Sequence, residues 1–213
     1  MTAHQGRLRP ALSARAPDNA SGTAIKETAM TTPTTVTFVG AKGGVGTSTV
    51  ATLHAIALAR REHTVRLTST HTAGVEDLAA LLGVPAPGAG ETVTVLPRLT
   101  LADQPCADGH TVVDAGTDCF SDHDGPVYVV LRNDYLSLRR ALAGPRTTAG
   151  IILISEPNRS LTRRDVADVL AHPIVAELRL DPAIARAIDA GLLSSARHLR
   201  IDLSLGATTT SAH

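Results

Sequence analysis

Residues 40–49 read Gly40-Ala41-Lys42-Gly43-Gly44-Val45-Gly46-Thr47-Ser48-Thr49. Glycines at 43, 44 and 46 permit positive φ, so successive backbone N–H groups can converge on one anion. A helix starting at Thr47 would add the unpaired donors and partial positive charge of its N-terminus. Lys42 brings a full charge. Of the chain's 20 basic residues only Lys26 and Lys42 are lysine. A lysine that stands against such an arginine bias points to a need for a compact, flexible ammonium in place of a planar fork. Thr47 or Ser48 offers a hydroxyl to a magnesium ion. The chemistry open to this set is the holding of a polyphosphate. The bland outcome is a glycine-rich turn between a strand and a helix.

The loop needs a strand before it and a helix after it. Thr34–Val39 alternates Thr with apolar residues and then turns wholly apolar, as a buried strand does. Thr47–Arg61 carries an apolar stripe of Val50, Leu53, Ile56, Ala57 and Leu58, which predicts a helix. Further strands are expected at Val65–Thr68, Thr111–Val113, Val127–Leu131, Gly150–Ile154 and Ile174–Leu178, with Thr92–Leu96 as an edge strand. Helices are expected at Val75–Leu82, around Tyr135–Ala143, at Thr162–Leu170, and from Asp181-Pro182 to Ala190. Asp as N-cap with Pro at the first helical position is a physical start signal. Repeated strand–helix units imply a mostly parallel sheet covered by helices on both faces. Asp114 ends the third of these buried strands. It is a second candidate for magnesium; its alternative is to cap the turn Ala115-Gly116-Thr117.

Aromatics are 2% of the 213 residues against 43% hydrophobic, so the core must be Ala, Val, Leu and Ile. That favours an α/β fold over an aromatic-filled sandwich. The net charge of zero argues against a dedicated nucleic-acid binder. Two cysteines are too few for a disulfide framework. No apolar run is long enough to span a membrane, and residues 1–33 lack a secretory core, so a cytoplasmic protein is expected. Residues 1–33 and 206–213 read as disordered tails, with Met30 as an alternative start, and residues 34–205 as one domain.

The run Lys42-Gly43-Gly44-Val45-Gly46-Thr47-Ser48-Thr49 resembles the deviant Walker A loop of the ParA/MinD family, K-G-G-x-G-K-S/T. Its K-G-G-V-G-T form is similar to the CpaE/TadZ branch. Val112-Val113-Asp114 resembles the Walker B strand, and Leu180-Asp181-Pro182 through Gly191 resembles the family's C-terminal third. The resemblance implies a P-loop NTPase-like three-layer sandwich. It implies ATP bound by Ala41, Lys42, Gly43, Gly44, Val45, Gly46, Thr47, Ser48, Thr49 and Asp114, with Mg2+ on Ser48 and Asp114. It also implies a homodimer in which Lys42 reaches across the interface, and protein partners in a system that positions a cellular assembly.

Three departures bear on turnover. Thr47 stands where the family has the lysine of the β and γ phosphates. Thr68-Ser69-Thr70-His71-Thr72 follows the second strand without the family's carboxylate, the next acids being Glu76 and Asp77. Ser155-Glu156 stands where the family has the asparagine for adenine. Losing a cation beside the developing charge of phosphoryl transfer removes much of the electrostatic catalysis. Binding with weak or absent hydrolysis is therefore expected. A scaffold without productive nucleotide binding and an active ATPase stay open.

Other residues carry less. Cys106-x3-His110 and Cys119-x3-His123 suit zinc by type, but the strand between them holds the pairs roughly 16 Å apart. Arg132, Arg139, Arg140, Arg163, Arg164 and Arg186 read as solvated helix faces in preference to a DNA grip. His71 reads as a loop histidine and His54 as surface or packing. Leu199, Ile201, Leu203 and Leu205 alternate with polar residues, which suggests a strand or an extended tail in place of a membrane helix.

Overall fold

β1 (Thr34–Gly40) runs up the centre of the molecule because its last four residues are buried on both sides. The computed structural model describes residues 34–105, 108–118, 121–144 and 148–195. The expected tails, Cys106, Cys119 and residues 196–205 lie outside them. After β1 come α1 (Thr47–Arg60), β2 (Val65–Ser69), α2 (Thr72–Leu82), β3 (Thr92–Leu96), β4 (Leu99–Ala102) and β5 (His110–Asp114). Then follow β6 (Val127–Arg132), α3 (Tyr135–Leu142), β7 (Gly150–Ser155), α4 (Arg163–Val169), β8 (Ile174–Arg179) and α5 (Pro182–Asp189). The eight strands form one sheet in the order β3-β4-β2-β5-β1-β6-β7-β8. Every pairing is parallel except β3 with β4.

The strands' side chains divide the core in two. On β6, Tyr128 and Val130 join one apolar cluster, while Val129 and Leu131 join the other. On β7, Ile152 and Ile154 go with the first pair, and Ile151 and Leu153 with the second. The first cluster takes in α1, α2 and α5 through Val50, Leu78 and Ile184; the second takes in α3 and α4 through Leu138 and Val166. A period of two on each strand thus buries both sheet faces under helices. This is the α/β three-layer sandwich expected from the strand–helix alternation.

One strand escaped the sequence reading. β4 pairs antiparallel with the edge strand β3 across a tight turn in which Arg98 takes a φ of 69°. Leu99-Thr100-Leu101-Ala102 is short, and its pattern does not stand apart from the loop before it. α3, α4 and α5 open on side-chain caps from Asp134, Thr162 and Asp181. The Asp181-Pro182 start signal forms as expected.

Of the two places expected for His54, surface or packing, the structure gives packing. The residue is 5% exposed on α1, edge-on to Phe38 with ring centroids 5.4 Å apart. Burial first, then the charges of Arg61 and His110, lowers its pKa from 6.5 to about 4. The folded state therefore holds this imidazole neutral where the unfolded chain takes a proton. Stability should fall as pH drops from about 6.5 towards 4 and then level off, by about 3 kcal/mol in total. Chemical denaturation of the wild type and His54→Leu across that window checks this: the difference between the two curves should carry the slope.

Candidate functional site

Parallel pairing brings the C-terminal ends of β1, β2, β5, β6, β7 and β8 to one edge of the sheet. The chain leaves β1 towards β2 on one side and returns from β5 to β6 on the other, so the strand order reverses beside β1. Ligands of open α/β sheets sit outside the strand ends at such a point. A cleft of about 640 Å³ opens there.

Its floor is the loop between β1 and α1. Val45 is fully buried in the core and pins the loop down, while Gly43 and Gly44 stay exposed. Gly44 and Gly46 take φ of 74° and 99°; Gly43 does not need positive φ, contrary to expectation. Gly46 is the N-cap of α1 in the left-handed region and supplies no side-chain cap. The first-turn N–H groups of α1 therefore face the cleft uncapped, with the partial positive charge of the helix end behind them.

Gly40, at the end of β1, permits the close approach. Its N–H donates to the Gly116 carbonyl at 2.7 Å, and a Cβ there would stand 2.4 Å from Thr47 Oγ1 and 3.0 Å from Val45 Cγ2. Gly40→Ala should cost about 1–3 kcal/mol in thermal or chemical unfolding, through overpacking against the loop. An unchanged melting curve would show that the loop yields.

Ser48 and Asp114 meet. The Ser48 hydroxyl hydrogen-bonds the Asp114 carboxylate, which also accepts the Gly116 N–H at 3.0 Å. Asp114 is 2% exposed, and burial raises its pKa above the usual carboxylate value; the Ser48 and Gly116 bonds oppose that rise. Nearby Asp77 raises it further, and His71 counters. The carboxylate does accept the turn N–H, as the capping alternative required, yet its bond to Ser48 ties it to the loop as well. A hydroxyl and a carboxylate in contact below a ring of N–H donors suit a hydrated Mg2+ shared with phosphate oxygens.

Of the loop residues, Lys42, Gly43, Gly44, Gly46, Thr47, Ser48 and Thr49 line the cleft. Ala41 donates its N–H to the Val130 carbonyl and lines a smaller neighbouring cleft of about 340 Å³. Lys42 lines both. Its ammonium lies 4.0 Å from Asp134, the capping residue of α3. Asp134's carboxyl is held below its usual pKa: the Ser137 bonds and the Lys42 charge outweigh its burial. Thr47 puts no cation into the cleft and is nearly buried.

Three groups near the loop were not foreseen. Asp77 lines the cleft from α2, one turn beyond the segment that lacks the expected carboxylate. Asp134 holds Lys42. Arg132, expected on a solvated helix face, is instead the last residue of β6 and lines the cleft. The correction follows from topology. β6 pairs directly with β1, so its end must stand beside the loop that leaves β1. At the position of the expected base contact, the Ser155 hydroxyl donates to Glu177 at 2.6 Å, and Glu156 pairs with Arg132 and Arg159. An apolar pocket of about 230 Å³ adjoins the cleft there, lined by Ile154, Leu178, Leu180 and Ile184.

No protein-family model and no curated protein matches this sequence. Solved structures do match in fold. The septum site-determining protein MinD from Pyrococcus horikoshii, complexed with Mg-ADP, is 17% identical with a TM-score of 0.60, over 76% of this chain and 88% of that one. A ParA family ATPase from Chlorobium tepidum is 18% identical with a TM-score of 0.55, over 76% and 90%. A chain of the MinC:MinD cell division protein complex from Aquifex aeolicus is 14% identical with a TM-score of 0.59, over 74% and 86%. The chain therefore has the fold of the ParA/MinD ATPases. No helix among the described residues is long and apolar enough to cross a membrane.

Proposed function

We propose that the cleft binds ATP with Mg2+, and that the bound state drives two copies together as a switch in positioning a cellular assembly. The observation that carries this is the Ser48–Asp114 contact beneath the uncapped start of α1. Ser48 and Asp114 hold the metal. The N–H groups of Gly43 to Ser48 hold the phosphates, and Lys42 neutralises them. The apolar pocket beside Thr49 takes the base. The Mg-ADP complex of the P. horikoshii neighbour supports a nucleotide in this place. The MinC:MinD complex supports a protein partner as the output.

Dimerisation has its own support. Tyr135 is 71% and Leu136 51% exposed at the start of α3, and Leu136 lines the smaller cleft together with Lys42. Covering such residues is worth about 25 cal/mol per Å² of apolar surface. Lys42 is free to leave a 4.0 Å pairing with Asp134 for a phosphate, in its own cleft or in a partner's. The assembly positioned is pilus or secretion machinery, a division site or a partitioned cargo; the CpaE/TadZ-like form of the loop supports the first. Hydrolysis is weak, because Thr47 supplies no ammonium where charge develops.

Light scattering with and without Mg-ATP tests the switch. A monomer that doubles in mass with Mg-ATP, and does not when Lys42→Ala is introduced, is the expected result. An unchanged mass at saturating nucleotide would contradict it. Phosphate release no faster than that of Lys42→Ala is expected for the wild type.

A further inference from the structure

The loop has lost its second cation, but the cleft has not. Its lining contains two basic residues, Lys42 and Arg132. They approach from different directions. Lys42 is turned towards Asp134 and the smaller cleft under α3. Arg132 comes from the end of β6, and its Nε reaches the Val45 carbonyl of the loop itself at 3.5 Å. It also borders the apolar pocket beside Gly46 and Thr49, so it stands where the cleft and that pocket join.

We infer that Arg132 is a second phosphate-binding cation of this cleft beside Lys42, supplying from β6 the charge that Thr47 cannot, and that Glu156 holds its guanidinium until nucleotide arrives. The inference rests on the nucleotide reading of the cleft given above.

The geometry explains how the exchange is possible. Arg132 Nη1 donates to Glu156 Oε1 at 2.5 Å, and Arg159 pairs with the other oxygen of the same carboxylate. When Arg132 turns to a phosphate, Arg159 remains with Glu156, so the carboxylate keeps a charged partner. Glu156 is itself fixed by the backbone: its N–H donates to Asn133 Oδ1 at 2.9 Å, and Asn133 Nδ2 donates to its carbonyl at 3.2 Å. Asn133 is the residue after Arg132, so strand end and holder are tied as one unit. A guanidinium suits this task because its planar fork can meet two phosphate oxygens at once, from a longer reach than the helix start.

Equilibrium binding of Mg-bound, non-hydrolysable ATP analogue tests this in five proteins. Arg132→Ala should weaken affinity about tenfold to hundredfold, the loss of charge-assisted hydrogen bonds. Glu156→Gln should tighten it, because the holder lets go. A merely structural ion pair predicts the opposite, with both substitutions weakening binding alike. In a Thr47→Lys background, the Arg132→Ala loss should shrink to under about threefold, since the loop then carries its own cation. Wild-type affinity in Arg132→Ala, or weakening by Glu156→Gln, or an undiminished loss in the Thr47→Lys background would each overturn the inference. If the wild type binds no analogue, the reading of the cleft falls and the inference with it.

Discussion

Asp114→Asn will abolish magnesium-dependent nucleotide binding while raising the melting temperature of the ligand-free protein. The two effects share one cause. Asp114 is almost wholly buried, and its raised pKa says that the folded protein disfavours its charge. The sign follows by linkage: a carboxyl whose folded pKa exceeds its unfolded one costs stability above that pKa and regains it as pH falls through it. Asparagine keeps an oxygen for Gly116 N–H and removes the charge. The stabilisation should therefore be visible at neutral pH and vanish in acid. The same buried charge is what a divalent cation requires. Calorimetry of ligand-free wild type and Asp114→Asn, followed by nucleotide titration with and without Mg2+, checks both halves. A variant that is less stable and still responds to Mg2+ would show that Asp114 only caps its turn.

Thr47→Lys is the second large effect. Thr47 is the first residue of α1 and lines the cleft, so a lysine there would extend from the helix start towards whatever the loop holds. A charge-assisted contact is worth about 1.5–3 kcal/mol, so affinity for Mg-ATP should rise about tenfold to hundredfold in the Arg132→Ala background and by less where Arg132 is present. Equilibrium titration of each pair of proteins in parallel measures it. No change would mean that phosphates never reach the end of α1.

The residues explain what was legible. β1, the glycine run and α1 could be placed from pattern alone, because a wholly apolar strand end, consecutive glycines and an apolar stripe are local signals. Asp114 could be placed because its strand is short, buried and ends on it. The charges around the loop were harder. Arg132 and Asp77 are far from Lys42 in sequence and meet at the cleft only through strand order: β6 beside β1, and α2 returning over the end of β2. The Asp134–Lys42 pairing is of the same kind. Asp134-x-x-Ser137 is a helix-start pattern in its own right, with Ser137 N–H donating to Asp134 at 2.8 Å, and nothing local tells of the ammonium beside it. Arg132 shows how a reading by neighbours in sequence misleads. Arg139 and Arg140 do lie exposed on a helix, but Arg132 belongs to the strand before it.

Isothermal titration with Mg-ATP is the most direct measurement of the central claim, that the start of α1 and the Ser48–Asp114 pair hold a magnesium-bound polyphosphate. Saturable heat at one nucleotide per chain is expected, lost on chelation of Mg2+ and in Ser48→Ala combined with Asp114→Asn. Absence of heat from Mg-ATP at millimolar concentration, with the protein folded, would contradict it.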